Sequence, residues 1–358
     1  MKIPFNHFKR NFDNIEPEVE NAVSKVMKSG WYILGNEVEE FEKNFASYTG
    51  SKHCISVANG TEAIALALMA LDIGRGDEVI TTSLTAYPTI TAIEMTGAVP
   101  VAADILDNCL IDVKSVKNLI NGKTKAIIPV HLYGQICDME ELISVAQKHS
   151  IPIIEDCAQS AGARRNNVHC GNFGILGCFS FYPTKNLGAF GDAGAVTTND
   201  DSLAEKLKSL RNYGQTNRYK HDFPGINSRM DEIQAAILNV KLKYLDKWNL
   251  RRKEIADNYS LKLPNSIQLK RVSNGDVFHL YPVLIENRET FMENMRRTGV
   301  ATIIHYPYPV FTQEAYNGKH DKCRNSEQIC KKLVSLPINP ELSDEEVDQV
   351  IGSSIKSL

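Results

Sequence analysis

The chain has 358 residues, of which 43% are hydrophobic and 23% charged, and its formal net charge is −3. That length suffices for two domains with a large core, and the slightly acidic balance excludes the basic stripe of a nucleic-acid-binding protein. No run of about eighteen apolar residues predicts a membrane span, and the first residues lack a signal-peptide core, so we expect a cytoplasmic protein. The eight cysteines form no Cys-x-x-Cys pair, which favours buried reduced thiols over disulfides or a metal site.

The first part of the chain predicts helices around one candidate anion site. The spacing of apolar residues predicts helices at 17–28 and 36–46. The stretch 57–71 predicts a short apolar run that turns into a third, Ala/Leu-rich helix at residues 59–61. Asn36 is the predicted N-cap of the second helix, and the turn before it carries Trp31 and Tyr32, which either pack or line a cleft. The third helix begins at Gly60 and Thr61, with Thr61 as N-cap. Its free backbone N–H groups either bind an anion such as phosphate or are simply capped.

Strand and helix patterns alternate through the middle of the chain. Nearly all-apolar strands are predicted at 78–83, 99–104, 125–131 and 151–156, with helices at 87–96 and 139–149. This pattern predicts an α/β fold with a parallel or mostly parallel sheet covered on both faces. Ligands of such sheets gather at the carboxyl ends of the strands. Those ends carry His131, Asp156 and, just after it, Gln159.

A glycine-rich loop follows the strand predicted at 178–182 and leads into a second strand at 195–198. Ser180 lies in the first strand and Lys185 in the loop. Lys185 is either a free surface amine or an amine half-desolvated in a cleft. In a cleft its pKa falls, and it can attack a carbonyl carbon.

The last third of the chain predicts a smaller α+β domain. The irregular stretch 211–229 predicts a functional or interface loop, and a single long helix is predicted at 231–259. Beyond it the pattern predicts short strands at 277–285 and 302–306 and helices at 289–298, 326–334 and 343–357. We therefore expect a large domain over residues 1–245 and a small C-terminal domain over residues 246–358.

Five features at the predicted sheet edge fit one cofactor, pyridoxal phosphate. They are the anion cradle at Gly60 and Thr61, the carboxylate of Asp156, the amide of Gln159, the hydroxyl of Ser180 and the amine of Lys185. A carboxylate at the end of an apolar strand is costly to bury without a cationic partner. The protonated ring nitrogen of this cofactor is such a partner, and the alternative is a structural aspartate bonded to backbone amides.

Six motifs in order resemble the sugar aminotransferases of the DegT/DnrJ/StrS group, within the fold-type I pyridoxal-phosphate enzymes. The motifs are NGTEA at 59–63, GDEVI at 76–80, HLYG at 131–134, EDCAQSAGA at 155–163, SFYPTKNLGAFGDAGA at 180–195 and GINSRMDEIQAAIL at 225–238. The resemblance implies an aspartate-aminotransferase-like large domain, a smaller C-terminal domain, a homodimer with shared active sites and two-step transamination. A nicotinamide-dependent sugar reductase or epimerase is disfavoured by the residues themselves, because it would carry a Gly-x-Gly-x-x-Gly motif after an early strand and this chain lacks one.

The resemblance also implies a role for each site residue. Lys185 would bind the cofactor aldehyde covalently, Asp156 would hold the ring nitrogen, and Gln159 would lie against the ring or its hydroxyl. The phosphate would be held by Gly60, Thr61 and Ser180, with Asn227 reaching it from the second subunit. The candidates for the sugar pocket are Tyr32, Tyr219, Tyr306 and Tyr308, the last two within a motif, HYPYP at 305–309, that matches a late family motif.

The sequence of the lysine loop is similar to that of the family branch that aminates C3 of nucleotide-linked keto sugars. It implies a dTDP-3-keto-6-deoxyhexose as acceptor and L-glutamate as donor, in deoxysugar biosynthesis for an O-antigen or S-layer glycan. A C4-aminating or UDP-linked enzyme, or a non-transaminase of fold type I, is the alternative. The chain departs from the family at Ala86, where many members carry a ring that stacks on the cofactor, so Tyr87 or another ring would have to replace it. The late motif also lacks the usual histidine near Phe311.

Overall fold

The structure, a computed structural model, describes residues 2–269, 275–320 and 322–358. Its α-helices are α1 (Phe8–Asp13), α2 (Glu16–Ser29), α3 (Asn36–Thr49), α4 (Gly60–Ala70), α5 (Pro88–Met95), α6 (Val113–Leu119), α7 (Met139–Lys148), α8 (Asp201–Leu210), α9 (Glu232–Leu242), α10 (Leu245–Lys262), α11 (Arg288–Arg297), α12 (Arg324–Ile329) and α13 (Asp344–Ser357). Its strands are β1 (His53–Val57), β2 (Glu78–Thr82), β3 (Val99–Ala103), β4 (Thr124–Ile128), β5 (Ile154–Asp156), β6 (Arg164–Arg165), β7 (Val168–His169), β8 (Leu176–Ser180), β9 (Gly194–Thr198), β10 (Gln215–Asn217), β11 (Lys220–His221), β12 (Tyr281–Leu284), β13 (Lys319–His320) and β14 (Leu333–Leu336). No helix among the described residues is both long and apolar enough to cross a membrane.

The central sheet is mixed and mostly parallel, as the sequence predicts. Two ladders, in the orders β13–β3–β2–β4 and β1–β9–β8–β5, are joined by parallel bridges from Ile127 to Ile153 and from Val130 to Asp156. Among the described strands of this sheet, β9 alone runs antiparallel to its neighbours, β1 and β8. Strand β2 is buried along its whole length, and the Ala/Leu-rich helix α4 packs with buried side chains against β8 and β9, so apolar strands are covered by helices.

The antiparallel strand β9 brings two carboxyl-terminal ends together. Because β9 lies between β1 and β8 and is antiparallel to both, β1 and β8 run in the same direction. Gly194 of β9 pairs with both Val57 and Ser180, which are the last residues of β1 and β8. Asp156, the last residue of β5, lies beside Cys178. The start of α4, Ser180 and Asp156 therefore share one edge of the sheet.

A separate apolar cluster forms in the C-terminal part of the chain. Helices α10, α11 and α13 pack there with the antiparallel pair β12–β14, and Ile3 from the N-terminus joins them. This α+β layout agrees with the pattern expected after residue 264. The domain boundary between residues 245 and 246 stays a prediction.

Several predicted elements are corrected. The helix predicted at 231–259 is two helices, because a turn at Lys243 and Tyr244 separates α9 from α10. The stretch 302–306 is no strand and makes one isolated bridge, from Ile303 to Ser335, and prolines at 307 and 309 follow it. The helix predicted at 326–334 is the helix α12 followed by the strand β14, the strand at 277–285 shrinks to β12, and the irregular stretch 211–229 contains the hairpin β10–β11.

Candidate active site

A cavity of about 300 Å³ lies at the shared edge of the sheet. Six of the sequence-predicted site residues line it. They are Gly60, Thr61, Asp156, Gln159, Ser180 and, from the loop that follows β8, Lys185. The other residues of its wall are Asn59, Ile64, Thr85, Ala86, Pro88, Thr89, Val130, Ala158, Tyr182 and Asp192. The residues that sequence reasoning places together are therefore together in space.

The start of α4 forms one wall through a very close approach of backbone to backbone. A Cβ atom on Gly60 would lie 2.6 Å from Cβ of Ser180, so only glycine fits. The N-cap is Asn59, whose side-chain oxygen accepts a hydrogen bond from the backbone N–H of Glu62 at 2.9 Å. This corrects the prediction that Thr61 is the N-cap. Thr61 is instead a first-turn residue whose position suits an anion.

Asp156 is a buried carboxylate, 4% exposed, without a cation at salt-bridge distance among the described residues. Its Oδ1 accepts a hydrogen bond from the N–H of Ala158 at 3.0 Å, and its Oδ2 accepts one from Oγ1 of Thr89 at 2.8 Å. Burial raises the pKa of Asp156 above its ordinary value, although these two hydrogen bonds and the charge of Lys185 act in the opposite direction. A cationic ligand group at this carboxylate would relieve the cost of its burial.

Lys185 is half-buried, and burial lowers the pKa of its amine from 10.5 to about 8, a change that the charge of Asp156 partly opposes. The next residue anchors the loop. The amide of Asn186 donates to Asn249 at 2.8 Å and to the carbonyl of Val277 at 2.9 Å, and its oxygen lies 3.0 Å from Nδ1 of His279. The backbone that carries the amine is thus fixed to α10 and to the C-terminal part of the chain.

Gln159 connects the cavity to the late motif. Its Oε1 accepts a hydrogen bond from the backbone N–H of Tyr133 at 2.8 Å, and its Nε2 donates to the hydroxyl of Tyr306 at 3.0 Å. The Tyr133 hydroxyl also donates to the carbonyl of His305. Burial raises the pKa of Tyr306 to about 12, so its hydroxyl stays protonated and holds the amide of Gln159 in one orientation.

Besides Tyr306, which reaches the cavity only through its hydrogen bond with Gln159, four predicted site residues lie outside the cavity of the single chain. The side chains of Tyr32, Tyr219 and Tyr308 are 52%, 82% and 59% exposed. Asn227 is exposed as well, and its backbone pairs with Asn212. None of the four lines the cavity, so any role that they have there depends on a second chain or on a bound substrate.

The segment before α5 contributes Ala86 to the cavity wall but no aromatic ring. Ala86 lines the cavity, whereas Tyr87 packs in an apolar cluster with Phe311 and Tyr316 and does not line it. Tyr182, which sequence reasoning did not single out, is half-exposed at the cavity wall. Its place two residues after Ser180, between the strand β8 and the lysine, was the available signal.

His131 lies behind the cavity instead of in its wall. It is fully buried, and its Nε2 lies 2.8 Å from Oε2 of Glu155. Glu155 also accepts hydrogen bonds from the backbone N–H groups of Gly171, Phe173 and Gly174. His131 and Glu155 approach Cys157 closely enough for a metal site, but both Glu155 oxygens are already used, so we assign the group a structural role.

A family model covers almost the entire chain. Residues 13–354 match the DegT/DnrJ/EryC1/StrS aminotransferase family. The chain belongs to that family. This membership confirms the resemblance identified from the motifs, and with it an enzyme that uses pyridoxal phosphate for transamination.

Relatives of the DegT/DnrJ/EryC1/StrS family match at full length. A dTDP-3-amino-3,6-dideoxy-alpha-D-galactopyranose transaminase from Aneurinibacillus thermoaerophilus is 47% identical over 98% of both chains. The crystal structure of DesV from S. venezuelae, in complex with a ketimine intermediate, aligns with a TM-score of 0.96 and 39% identity, covering 99% of this chain and 98% of that one. NtdA from Bacillus subtilis, with bound cofactor PMP, aligns with a TM-score of 0.93 and 30% identity, covering 99% and 85%. The predicted fold-type I architecture is thereby confirmed.

The cavity of this family member fits the cofactor on its own evidence. It offers a helix start at Gly60 that a side chain would fill, a buried carboxylate that makes no salt bridge within the described part of the chain, and an amine of lowered pKa. Its volume of about 300 Å³ falls within the range of small-molecule sites. These groups match the phosphate, the ring nitrogen and the aldehyde of pyridoxal phosphate, respectively.

Proposed function

We propose that this enzyme aminates C3 of a dTDP-linked 3-keto-6-deoxyhexose, with L-glutamate as the amino donor. The observation that carries the proposal is the placement of Asp156 and Lys185 in the walls of one cavity. The full-length identity of 47% to a dTDP-3-amino sugar transaminase supports the choice of acceptor. The enzyme would serve deoxysugar biosynthesis for a surface glycan, in the cytoplasm.

The residues that would hold the cofactor come from separate elements. The start of α4 at Gly60 and Thr61, with Ser180, would bind the phosphate through N–H and O–H donors. Asp156 would face the ring nitrogen, and Gln159 the ring or its hydroxyl. When bound, pyridoxal phosphate acts as an electron sink and carries the amino group between the two half-reactions.

Lys185 has two tasks in this proposal. Its amine provides the covalent attachment of the cofactor aldehyde, and once released it moves a proton to and from the substrate Cα. Because burial lowers its pKa to about 8, the amine exchanges protons near neutral pH in both directions, as a general acid–base group requires. The anchored backbone at Asn186 keeps this amine within reach of the cavity throughout.

Asp156 supplies the electrostatic part of the proposed mechanism. In its ionised form it would keep the ring nitrogen protonated, and the low-dielectric surroundings strengthen that pairing. The exposed position of Asn227, Tyr32 and Tyr219 supports a homodimer in which these residues complete the partner's site. Tyr306 and Tyr308 would then face the sugar from the same chain.

The proposal is tested by loading the enzyme with pyridoxamine phosphate and mixing it with a panel of keto sugar nucleotides. The return of the aldehyde form is followed by absorbance, and the aminated carbon is located by NMR. We expect turnover with a dTDP-linked 3-keto sugar and an amino group at C3. An exclusive reaction with a 4-keto or a UDP-linked sugar would replace this acceptor, and no reaction with any member would refute the function.

A further inference from the structure

A chain of two hydroxyl groups leads to the buried carboxylate of Asp156. Thr89 lies in α5, is 2% exposed, and donates from Oγ1 to Oδ2 of Asp156 at 2.8 Å. Oγ1 of Thr85, which is 3% exposed, lies 3.1 Å from Oγ1 of Thr89. Both threonines and Asp156 line the same cavity. Neither threonine is among the residues that the sequence motifs single out.

The direction of the hydrogen bonds follows from the number of protons. The Thr89 hydroxyl has one proton, and the carboxylate oxygen at 2.8 Å competes for it with the carbonyl of Ala86 at 3.3 Å. The carboxylate is both nearer and charged, so it takes the proton. Thr85 then donates to the oxygen of Thr89, and the polarised hydroxyl of Thr89 is a stronger donor to Asp156.

This contact bears on the charge of Asp156. In the described part of the chain, Thr89 makes the only side-chain hydrogen bond to Asp156, and the N–H of Ala158 binds the other oxygen. Donors to a carboxylate favour its ionised form, which burial opposes, and the charges of Lys185 and His131 near Asp156 act in the same direction as the donors. Two donors on different oxygens also fix the plane of the carboxylate, while each oxygen keeps a free lone pair.

We propose that Thr89 is a positioning residue that keeps Asp156 ionised and oriented in the cavity, and that Thr85 supports it. The inference rests on the proposed function, because an ionised Asp156 matters for turnover only if that carboxylate faces the cofactor ring. The effect of Thr89 on the carboxylate does not depend on the cofactor, so the role of Thr89 and the proposed function can be tested separately.

The test compares Thr89→Val, which keeps the shape and removes the hydroxyl, with Thr89→Ser, which keeps the hydroxyl. The matched control is Thr91→Val on the same helix, whose hydroxyl donates to the carbonyl of Tyr87 at 3.4 Å and makes no contact with Asp156. A third variant, Thr85→Val, removes only the supporting hydroxyl. All four are measured as full-length enzyme.

The first readout is the thermal midpoint of the cofactor-free protein between pH 4 and pH 8. Without the Thr89 hydroxyl, the pKa of Asp156 rises further above its value in the unfolded chain, so the variant loses stability as the pH rises and the carboxyl ionises. We expect the midpoint of Thr89→Val to fall further below wild type at pH 8 than at pH 4. Thr89→Ser and Thr91→Val should show a difference from wild type that does not depend on pH.

The second readout is the pH profile of kcat in the loaded enzyme. For Thr89→Val we expect the acid limb to move to higher pH by about one unit and kcat to fall about tenfold, with KM for both substrates within about twofold of wild type. Thr85→Val should move the limb in the same direction by less, and Thr89→Ser should restore the wild-type profile.

The outcomes separate the two proposals. If Thr89→Val resembles Thr91→Val in both readouts, the role of Thr89 is refuted, while cofactor binding at Lys185 stands. If wild type fails to bind the cofactor but Thr89→Val still shows the pH-dependent loss of stability, the proposed function is refuted and the positioning role of Thr89 at Asp156 is supported.

Discussion

The most direct consequence of the cavity concerns the protonation of Lys185. With a pKa of about 8, about one tenth of the amine is unprotonated at pH 7, against about one in three thousand for an ordinary lysine amine at 10.5. Only the free amine attacks an aldehyde. We therefore expect cofactor-free enzyme to capture pyridoxal phosphate at pH 7 up to about 300 times faster than an equally placed lysine of ordinary pKa, the upper bound being the ratio of the free-amine fractions.

The assay mixes cofactor-free enzyme with pyridoxal phosphate across the range from pH 6 to pH 10 and follows the visible absorbance of the bound cofactor. The same series with a small amine of known pKa corrects for the titration of the aldehyde. The rate should rise about tenfold per pH unit below pH 7 and level off above about pH 8. A rate that still climbs steeply beyond pH 9 would show an unperturbed amine and refute this reasoning.

The charge of Asp156 provides an internal check. Because that carboxylate raises the pKa of Lys185 against the effect of burial, Asp156→Asn should move the plateau to lower pH while capture continues. A plateau that stays in place would show that the two groups do not interact, and one that moves to higher pH would contradict the sign of the interaction.

The other predictions concern single contacts. Glu155→Gln should lower the free energy of unfolding by about 3 kcal/mol in urea titrations, because it breaks a buried network of four hydrogen bonds; an unchanged midpoint would contradict this. Tyr306→Phe should leave cofactor capture intact and lower kcat about tenfold, since Gln159 loses its acceptor, whereas exposed Tyr308→Phe should keep stability and capture at wild-type levels. Lys241 is 5% exposed, and burial lowers its pKa to about 8. Lys241→Met should therefore stabilise the protein by up to about 3 kcal/mol at pH 7, and this gain should shrink as the pH rises from about 8 toward 10.5. A gain in stability that grows with pH would contradict this prediction.

The site was predictable where chain topology alone decides it. Apolar strands joined by helices place their carboxyl ends at one edge, so Asp156 and Ser180 meet there whatever the details of packing. Only glycine fits at position 60, because this residue lies against Ser180. The sequence indicates the position, since it has a glycine at the start of a predicted helix. The motifs then connect Lys185 to the same edge.

The remainder depends on side-chain direction and on competing contacts. The turn at Lys243 and Tyr244 interrupts a continuous apolar pattern, and the Tyr244 hydroxyl there donates a hydrogen bond to the carboxylate of Glu18, a long-range contact that the local pattern does not indicate. Asn59 takes the capping role expected of Thr61, since helix α4 starts two residues earlier than a Thr61 cap would place it. The position of Thr89 at the carboxylate follows from the rotation of α5 on the sheet, which no local pattern in the sequence specifies.

The central claim is that Lys185, and no other lysine, bonds to the cofactor aldehyde. The chain supplies its own competitor, because Lys241 is buried with the same lowered pKa of about 8 but lies outside the cavity that contains Asp156. Borohydride reduction of the loaded enzyme followed by peptide mapping distinguishes them. The label should fall on Lys185 alone, and a label on Lys241, or on neither lysine, would contradict the account.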